Sequence, residues 1–421
     1  MIMDKSAFSP KIMQYFLTSI KRIKRGEFPI CAGSILQEKT KTLRYRRHNY
    51  IMHRSTYAEI SLENIQHNIR FMRSRLKPET KFLAVVKANA YGHGMEQVAK
   101  AALDCGAEFL AVAYAEEGVR LRNAGFKAPV LLLGATDEEH MNIVIERDLI
   151  PTVFSLETLA GLQNHAKALH KTCHIHIKVD TGMNRLGFSS ENEFVKALEL
   201  LKECPNVVFD GLFTHFAVSE LPDPSFTLGQ TEHFRRYAAL AHEHGFFPIL
   251  HASNSAAAIH LPETQFDMVR GGIAMYGCHP AGHAVAGIDL KPVMRWHTAI
   301  THIKTIGPNE GVSYGLKFVS PCEMRIGTLA VGYGDGYKRC LSGKADVLVR
   351  GKRARQIGTI CMDQMMIDLS NVPDAEVDDD VILIGSQGNE EITADELAEK
   401  AGTISYEILL SVSDRVPRFY E

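Results

Sequence analysis

The chain has 421 residues, of which 45% are hydrophobic and 23% charged, and its formal net charge is −2. This composition is typical of a globular enzyme with more than one domain, and it argues against nucleic acid or an acidic membrane surface as a partner. The eight cysteines form no C-x-x-C pair, so we expect neither a metal site nor a disulfide framework. A reducing cytoplasm is the expected location, and no apolar run has the length of a membrane-spanning helix.

The first 54 residues differ from the rest, with 12 lysines and arginines against 3 acidic residues. An apolar piece at 12–20 precedes a basic run at 21–25, which is the reverse of the order in a secretion signal. We expect residues 1–54 to be a flexible basic extension. Alternatively, Met1 corresponds to an upstream start codon and Met52 is the working start. A membrane-touching amphipathic helix is a further alternative.

From residue 55 the chain alternates strand-like and helix-like segments. A short strand at Tyr57 leads into a helix, with Ser61 as its predicted N-cap. Buried strands are then predicted at 81–87, 109–114, 129–133, 150–154, 173–179, 207–213, 248–251 and 266–269. Helices are predicted between and after them, at 95–105, 116–123, 137–147, 155–169, 191–202, 229–242 and 255–259. Eight successive strand–helix units predict an N-terminal (β/α)8 TIM-type barrel over residues 55–290, with an open doubly wound sheet as the alternative.

The pattern changes from about residue 291. Strand-like segments at 296–306, 324–331, 345–349, 357–369 and 381–384 are separated by Gly, Pro, Asp and Asn. One helix begins at Thr393 with an S/T-x-x-E start. These features predict a C-terminal, mainly β domain over residues 291–421, and thus an α/β fold for the whole chain.

Reactive and anion-binding side chains fall at the C-terminal ends of five predicted barrel strands. They are Lys87 after the first strand, Arg185 after the fifth, His215 after the sixth, Asn254 and Ser255 after the seventh, and Arg270 to Ile273 after the eighth. Each has a purely structural interpretation when it is taken singly, such as a strand-end lysine or a helix N-cap. Because barrel enzymes place their active sites at this end, the joint placement indicates one site.

The chemistry of these residues suits pyridoxal phosphate. The Lys87 amine can form a Schiff base with an aldehyde. Ser255 at a helix start, together with backbone N–H groups that begin at Gly272, would form a nest for a phosphate. Of Arg185 and Arg270, one would face the pyridine nitrogen and the other a substrate carboxylate.

Motifs in both predicted domains resemble those of the alanine racemase family, over about residues 55–421. In the barrel they are KANAYGHG from Lys87, KVDTGMNRLG from Lys178, THF from Thr214, NSAA from Asn254 and MVRGGI from Met268. Beyond it they are GVSYG from Gly311, VGYGDGY from Val331, CMDQ from Cys361, YE from Tyr406 and RVPR from Arg415. The basic extension has no counterpart in the family pattern.

The resemblance implies a bacterial, cytoplasmic, pyridoxal-phosphate-dependent enzyme that interconverts L-alanine and D-alanine and so supplies D-alanine for peptidoglycan. It also implies a head-to-tail homodimer with shared active sites. Two bases would act on opposite faces of Cα, with Lys87 serving D-alanine and Tyr314 of the partner subunit serving L-alanine.

The resemblance also assigns the remaining site residues. The cofactor phosphate would be held by Tyr91, Ser255, Gly272, Ile273 and Tyr406, and Asn254 would also contribute to cofactor binding. Arg270 would face the pyridine nitrogen with His215 behind it, and Arg185 would lie near the substrate carboxylate. Met362 of the partner subunit would line the substrate pocket, Asp363 would help to shape it, and Lys178 would be carbamylated.

Four other interpretations remain open at this point. They are a broader amino-acid racemase acting on serine, a basic amino-acid decarboxylase, a cofactor-carrying regulatory barrel, and a transcriptional regulator with a racemase-like sensor domain. The decarboxylases typically have an acidic residue where this chain has Arg270. The regulatory barrels lack a β domain, and the first 54 residues show no convincing helix-turn-helix.

Overall fold

Residues 54–421 are described by a computed structural model of the chain. The predictions made for the N-terminal extension therefore lie outside the described residues. Within this part of the chain, the first strand is β1 (Tyr57–Ile60), and it leads into helix α1 (Leu62–Arg73). The Ser61 hydroxyl accepts a hydrogen bond from the Asn64 backbone N–H at 3.1 Å, so the predicted N-cap is confirmed.

Eight parallel strands form the barrel in the described chain. They are β2 (Lys81–Val85), β3 (Phe109–Val112), β4 (Val130–Leu132), β5 (Thr152–Val153), β6 (Cys173–Lys178), β7 (Val207–Phe213), β8 (Ile249–His251) and β9 (Met268–Gly271). They pair as two four-stranded sheets, β4-β3-β2-β9 and β5-β6-β7-β8. A bridge between Leu131 and Ile150 joins the sheets on one side, and the bond from Arg270 N–H to the Ser253 carbonyl joins them on the other. The predicted barrel is confirmed, although its last strand begins two residues later than expected.

Helices connect the barrel strands and pack their apolar faces on the strand residues. They are α2 (Met95–Asp104), α3 (Ala115–Asn123), α4 (Met141–Glu146), α5 (Leu156–Ala168), α6 (Glu191–Lys202), α7 (Ser225–Glu243) and α8 (Ser255–His260). The prediction for α7 was four residues too short at its N-terminus. No helix among residues 54–421 combines the length and the apolar character that crossing a membrane requires.

A left-handed turn follows β2 directly. Ala88, Asn89 and Ala90 have φ of 51°, 52° and 54°, and Tyr91 has φ of 52°. Each left-handed residue costs about 1–2 kcal/mol for an L-amino acid, so other parts of the chain must hold the turn. The Ala88 N–H donates to a Glu117 carboxylate oxygen at 2.5 Å, and the Met95 N–H donates to Asn89 Oδ1 at 3.1 Å. Helix α3, which carries Glu117, thus stabilises the backbone next to Lys87.

A nine-stranded sheet forms most of the C-terminal part, which confirms the predicted mainly β domain. Besides β1, its strands are β10 (Met294–Ile306), β13 (Met324–Leu329), β14 (Asp346–Val349), β15 (Lys352–Ile357), β16 (Met365–Asp368), β17 (Asp380–Gln387), β18 (Glu390–Ile392) and β19 (Arg418–Tyr420). Their order in the sheet is β18-β17-β14-β15-β16-β13-β10-β1-β19, with a further pairing of β17 with β10. A separate hairpin joins β11 (Gly311–Val312) to β12 (Phe318–Val319), and two helices follow β18, α9 (Ala394–Ala401) and α10 (Ser405–Ser411).

Three features of this sheet differ from the sequence prediction. No strand was predicted at β18 and β19, or at β15 before Ile357. The predicted strand 357–369 is confirmed only over β16, because a turn separates β15 from β16. Gly358 begins that turn with φ of 67°, and a Cβ there would lie 2.7 Å from the Val312 carbonyl oxygen. In addition, β1 falls within the predicted barrel range of 55–290, yet it pairs with β10 and β19 of the C-terminal sheet.

Candidate active site

A cavity of about 400 Å³ opens at the C-terminal ends of the barrel strands. It is lined by most of the residues singled out from the sequence, namely Lys87, Tyr91, Lys178, Arg185, His215, Asn254, Ser255, Arg270, Gly272, Ile273 and Tyr406. Residues from five strand ends therefore meet in one space, together with Tyr406 of the C-terminal part. Their convergence is what the barrel prediction required.

Lys87 lies at the wall of this cavity, immediately after the buried strand β2. Burial lowers the pKa of its amine, the positive charge of Arg185 lowers it further, and the Glu117 carboxylate acts in the opposite direction. A lowered pKa increases the fraction of neutral amine, and the neutral amine is the form that attacks an aldehyde or accepts a proton.

A nest of hydrogen-bond donors lies across the cavity at the start of α8. The Ser255 hydroxyl accepts from the Gly272 N–H at 2.9 Å. A Cβ placed on Gly272 would lie 3.4 Å from the Tyr91 hydroxyl and 3.6 Å from Ser255 Oγ, so a side chain there would project into the space between them. This arrangement of a hydroxyl pair and backbone N–H groups fits a phosphate group.

Two tyrosine rings lie at a tilted angle to each other beside this nest. The Tyr91 ring lies 5.8 Å from the Tyr406 ring, measured between centroids. Burial raises the pKa of Tyr406 to about 12 and raises that of Tyr91 as well. Both hydroxyls therefore keep their protons at neutral pH and can donate to an anion.

Arg270 is buried, and its guanidinium is held by strand ends β7 and β8. It donates to the carbonyls of Thr214 at 2.9 Å and Ala252 at 2.7 Å, and to ring nitrogens of His215 and His251 at 3.0 Å each. Burial and the nearby Arg185 lower the pKa of Arg270 to about 9, so the side chain stays charged at neutral pH. The site thus presents a fixed cation at this wall.

The histidines around Arg270 are neutral acceptors. Burial and the Arg270 charge hold the pKa of His215 well below its usual range. Burial, His176 and Arg270 do the same for His251, whose Nε2 lies 3.0 Å from His176 Nδ1. Since the guanidinium can only donate, it fixes the tautomer of His251, which must donate from Nε2 to His176. His176 and His251 therefore orient Arg270 from behind.

Lys178 and Arg185 complete a cluster of cations at the cavity. Burial lowers the pKa of Lys178 to about 7, with further contributions from the charges of Arg185 and Arg270. The loop that carries Arg185 is organised by the Asp180 carboxylate, which accepts four backbone N–H bonds at 2.9–3.1 Å from Gly182, Met183, Asn184 and Arg185. Asn254 lines the cavity too, but its side-chain oxygen caps α8 by accepting from the Ala257 N–H at 3.1 Å.

Three predicted residues lie outside this cavity, on the C-terminal part of the same chain. Tyr314 is 72% exposed and Met362 is 53% exposed. Asp363 is exposed as well and accepts from Arg415 at 2.7 Å. The structure of one chain therefore does not bring these residues to Lys87.

Sequence reasoning missed the residues that support the site from behind. Asp180 and His251 had a visible signal, because both stand at the ends of predicted strands. His176 is hidden inside β6, and Glu117 lies on a helix 29 residues along the chain from the Ala88 N–H that it accepts. Only the packing of the barrel brings these two to the site.

Two family models match the chain. The N-terminal domain of alanine racemase matches residues 60–280, and the C-terminal domain of alanine racemase matches residues 293–420. Among curated proteins, an alanine racemase from Halothermothrix orenii is 43% identical over 369 residues, covering 87% of this chain and 97% of its own. An alanine racemase from Methanococcus maripaludis is 42% identical over 366 residues, covering 86% of this chain and 98% of its own.

Solved structures show the same likeness. The crystal structure of an alanine racemase from E. faecalis superposes with a TM-score of 0.83 at 37% identity, covering 88% of this chain and 99% of the other. A histidine racemase from Leuconostoc mesenteroides superposes with a TM-score of 0.80 at 27% identity, covering 88% and 98%. The fold, the two matched domains and the sequence identity agree, and the chain belongs to the alanine racemase family, whose members are isomerases.

Proposed function

We propose that this chain interconverts L-alanine and D-alanine with pyridoxal phosphate as its cofactor. The observation that carries the proposal is the cavity, where the Lys87 amine faces a nest at Ser255 and Gly272 and the fixed Arg270 cation. The residues present fit the cofactor, since Lys87 would bind its aldehyde carbon and the nest would hold its phosphate. Arg270 would face the ring nitrogen, with His215 behind it. When bound, pyridoxal phosphate supplies an electron sink that acidifies the Cα–H of an amino acid.

Racemisation requires proton removal on one face of Cα and proton delivery on the other. One base would have to swing across the substrate, whereas two bases on opposite faces need no such movement. Lys87 is the proposed base toward D-alanine, and its lowered pKa favours the neutral amine that this role needs. Tyr314 is the proposed base toward L-alanine. Arg185 would hold the substrate carboxylate through a charge-assisted hydrogen bond.

Tyr314 is exposed and does not line the cavity of its own chain. Tyr314, Leu316, Val319 and Met362 all expose large apolar side chains on the C-terminal part, and such grouping is typical of an interface. We propose a head-to-tail homodimer in which Tyr314, Met362 and Asp363 of each chain complete the cavity of the other. A symmetric pair of this kind has two equivalent shared sites.

The proposal predicts complementation between two inactive variants. Lys87→Ala and Tyr314→Phe should each abolish racemisation by more than about 100-fold, because each removes one base. When the two are co-expressed, a mixed dimer keeps one site with both bases, so about a quarter of the parent activity should return. Activity is measured by interconversion of L- and D-alanine, and cofactor loading by absorbance.

Each single variant expressed alone is the control for this experiment. Parent-like activity in Tyr314→Phe would exclude the two-base assignment. If mass spectrometry shows that the mixed dimer forms but the co-expressed variants remain inactive, the shared site is excluded.

A broader amino-acid racemase is the second candidate. The solved relative at 27% identity is named a histidine racemase, so this fold is compatible with a side chain much larger than a methyl group. A hydrophobic pocket also discriminates single methylenes weakly, by about 10–200-fold. The same assay with serine and histidine separates the candidates.

The compartment and the physiological role are also proposals. Among the described residues all seven cysteines are free thiols, which suits a reducing compartment such as the cytoplasm. The family resemblance further suggests that the D-alanine produced serves peptidoglycan synthesis.

A further inference from the structure

The backbone on both sides of Tyr314 has an unusual conformation. Ser313 has φ of 67° and ψ of −175°, and Gly315 has φ of 73°. The Ser313 conformation belongs to a region that is essentially reserved for glycine, and a residue held there costs about 1–3 kcal/mol. Local preference therefore does not fix the direction of Tyr314, and contacts from elsewhere in the chain must do so.

Two of those contacts come from Thr359, in the turn between β15 and β16. The Thr359 hydroxyl donates to the Tyr314 carbonyl at 2.7 Å. In return, the Ser313 hydroxyl donates to the Thr359 carbonyl at 2.6 Å. Thr359 is 3% exposed, whereas Tyr314 is 72% exposed. The backbone of Tyr314 is thus held tightly while its ring stays free to enter another cavity.

The turn approaches Tyr314 very closely, and it also carries Met362. A Cβ on Gly358 would lie 3.0 Å from the Ser313 side chain and 2.7 Å from the Val312 carbonyl oxygen. Cys361, between Thr359 and Met362 along the chain, has its sulfur 3.4 Å from the Ser313 hydroxyl. One short segment therefore sets the positions of Tyr314 and Met362 relative to each other.

We propose that Thr359 and Ser313 are positioning residues for proton transfer by Tyr314. This inference rests on the proposed role of Tyr314 as the base toward L-alanine. A base acts only when its oxygen lies within hydrogen-bond reach of the proton, about 2.6–3.2 Å, and a displacement of about 1 Å can reduce the rate 100-fold. The reciprocal hydroxyl–carbonyl pair prevents the strained backbone at Ser313 from relaxing and moving the phenol.

The test compares Thr359→Val, which loses the hydroxyl, with Thr359→Ser, which keeps it. Both are made in the full chain loaded with pyridoxal phosphate. We expect conversion of D-alanine to L-alanine to fall about tenfold in Thr359→Val with KM changed less than twofold. In D₂O, deuterium incorporation into the recovered D-alanine should stay near the parent rate, since Lys87 serves that face. Thr359→Ser should match the parent in both measurements.

A second readout does not depend on activity. Amide hydrogen exchange in the peptide 311–319 should become faster in Thr359→Val and stay parent-like in Thr359→Ser. Should Thr359→Val fail to fold, Ser313→Ala removes the other bond and should give the same split between conversion and deuterium incorporation.

Three results would overturn the inference. They are parent-like conversion in Thr359→Val or Ser313→Ala, equal losses in Thr359→Val and Thr359→Ser, and a parallel fall of conversion and deuterium incorporation. Tyr314→Phe separates this failure from that of the proposed function. If Tyr314→Phe is inactive while Thr359→Val is parent-like, only the positioning inference fails; if Tyr314→Phe is active, both fail.

Discussion

At the scale of single residues, the cation cluster at the cavity controls the chemistry. Lys87, Lys178, Arg185 and Arg270 share one space, and each positive charge disfavours protonation of the neighbouring amines. Two lysines with lowered pKa values beside two arginines form an environment that favours neutral amines and bound anions. This physical setting supports both the Schiff-base role of Lys87 and a modification of Lys178.

Lys178 provides a prediction on this scale. Its pKa of about 7 leaves a large neutral fraction at neutral pH, and a neutral amine can combine with CO₂ to give a carbamate and a proton. The negative carbamate would be stabilised by Arg185 and Arg270. A sample equilibrated with ¹³C-bicarbonate should show one carbamate resonance that grows as the pH rises through about 7 and weakens below it.

Lys178→Met removes the amine that would be modified, and Lys196→Met, which removes an exposed lysine on α6, is the control. The resonance should vanish in the first variant and persist in the second. A parent sample at pH 8 without any carbamate signal would contradict the modification.

At the scale of elements, loops at the strand ends are fixed by carboxylates that accept backbone N–H groups. Glu117 accepts from Ala88 and from Ala113 at 2.7 Å, so it joins the ends of β2 and β3. Asp180 does the same for the loop after β6 that carries Arg185. Each such bond to a charged acceptor contributes about 1.5–3 kcal/mol, which makes these loops rigid supports for the site.

Asp180→Asn tests the second of these loops. The amide offers one acceptor oxygen in place of two and introduces N–H donors against backbone N–H groups, so the loop should loosen and Arg185 should move. We expect KM for alanine to rise about tenfold, which corresponds to about 1.4 kcal/mol of lost binding. Hydrogen exchange in residues 182–185 should accelerate as well.

Asp210→Asn, on the adjacent strand β7, is the control, because Asp210 pairs with the exposed His174 away from the cavity. Its KM should equal that of the parent. If hydrogen exchange accelerates in Asp180→Asn while KM is unchanged, the order of this loop does not affect substrate binding. Arg185 would then not be the residue that binds the substrate carboxylate.

At the scale of the whole molecule, the C-terminal sheet contains both ends of the described chain. Strand β1 lies between β10 and β19, and the parallel pairing of Ala58 with Arg418 brings the ends together. His297 on β10 stabilises the pairing of these strands, since its ring nitrogens lie 3.0 Å from carboxylate oxygens of Glu59 on β1 and of Asp380 on β17. Along the chain, the barrel residues are therefore inserted between β1 and the other strands of this sheet.

His297 gives a pH-dependent prediction for stability. Burial alone would lower the pKa of His297, but hydrogen bonds to Asp380 and Glu59 outweigh it and raise that pKa above its ordinary value. A raised folded-state pKa adds stability that is fully present below about pH 6.5 and is lost as the pH rises through the folded-state value. His297→Gln should therefore lower the free energy of unfolding by about 1–3 kcal/mol at pH 6 and by clearly less at pH 9.

Asp380→Asn should show the same pH trend. The double variant should lose less free energy of unfolding than the sum of the two single losses, because both substitutions remove the same interaction. The measurement is denaturant unfolding of the loaded enzyme at several pH values. A loss from His297→Gln that is equal at pH 6 and pH 9 would contradict the ion-pair account.

The sequence by itself determined the barrel elements, most strands of the C-terminal sheet and the identity of the reactive groups. Continuous apolar runs predicted the buried barrel strands, and the position of Lys87 at the end of one of them pointed to its chemistry. Ser61 and Thr393 predicted helix starts, and the Thr393 hydroxyl accepts from the Glu396 N–H at 3.0 Å as expected. These features depend on neighbours within a few residues, which is why local patterns reveal them.

Only the tertiary structure decided which distant groups meet. Glu117 supports Lys87 across 29 residues of separation from Ala88, Thr359 holds Tyr314 across 45, and β1 joins a sheet made by the far end of the chain. The first part of the predicted strand 357–369 is a turn for the same reason, since Gly358 lies in close contact with Val312 and Ser313 of a distant segment. Such contacts arise from the closure of the barrel and the sheet, and no local sequence pattern encodes them.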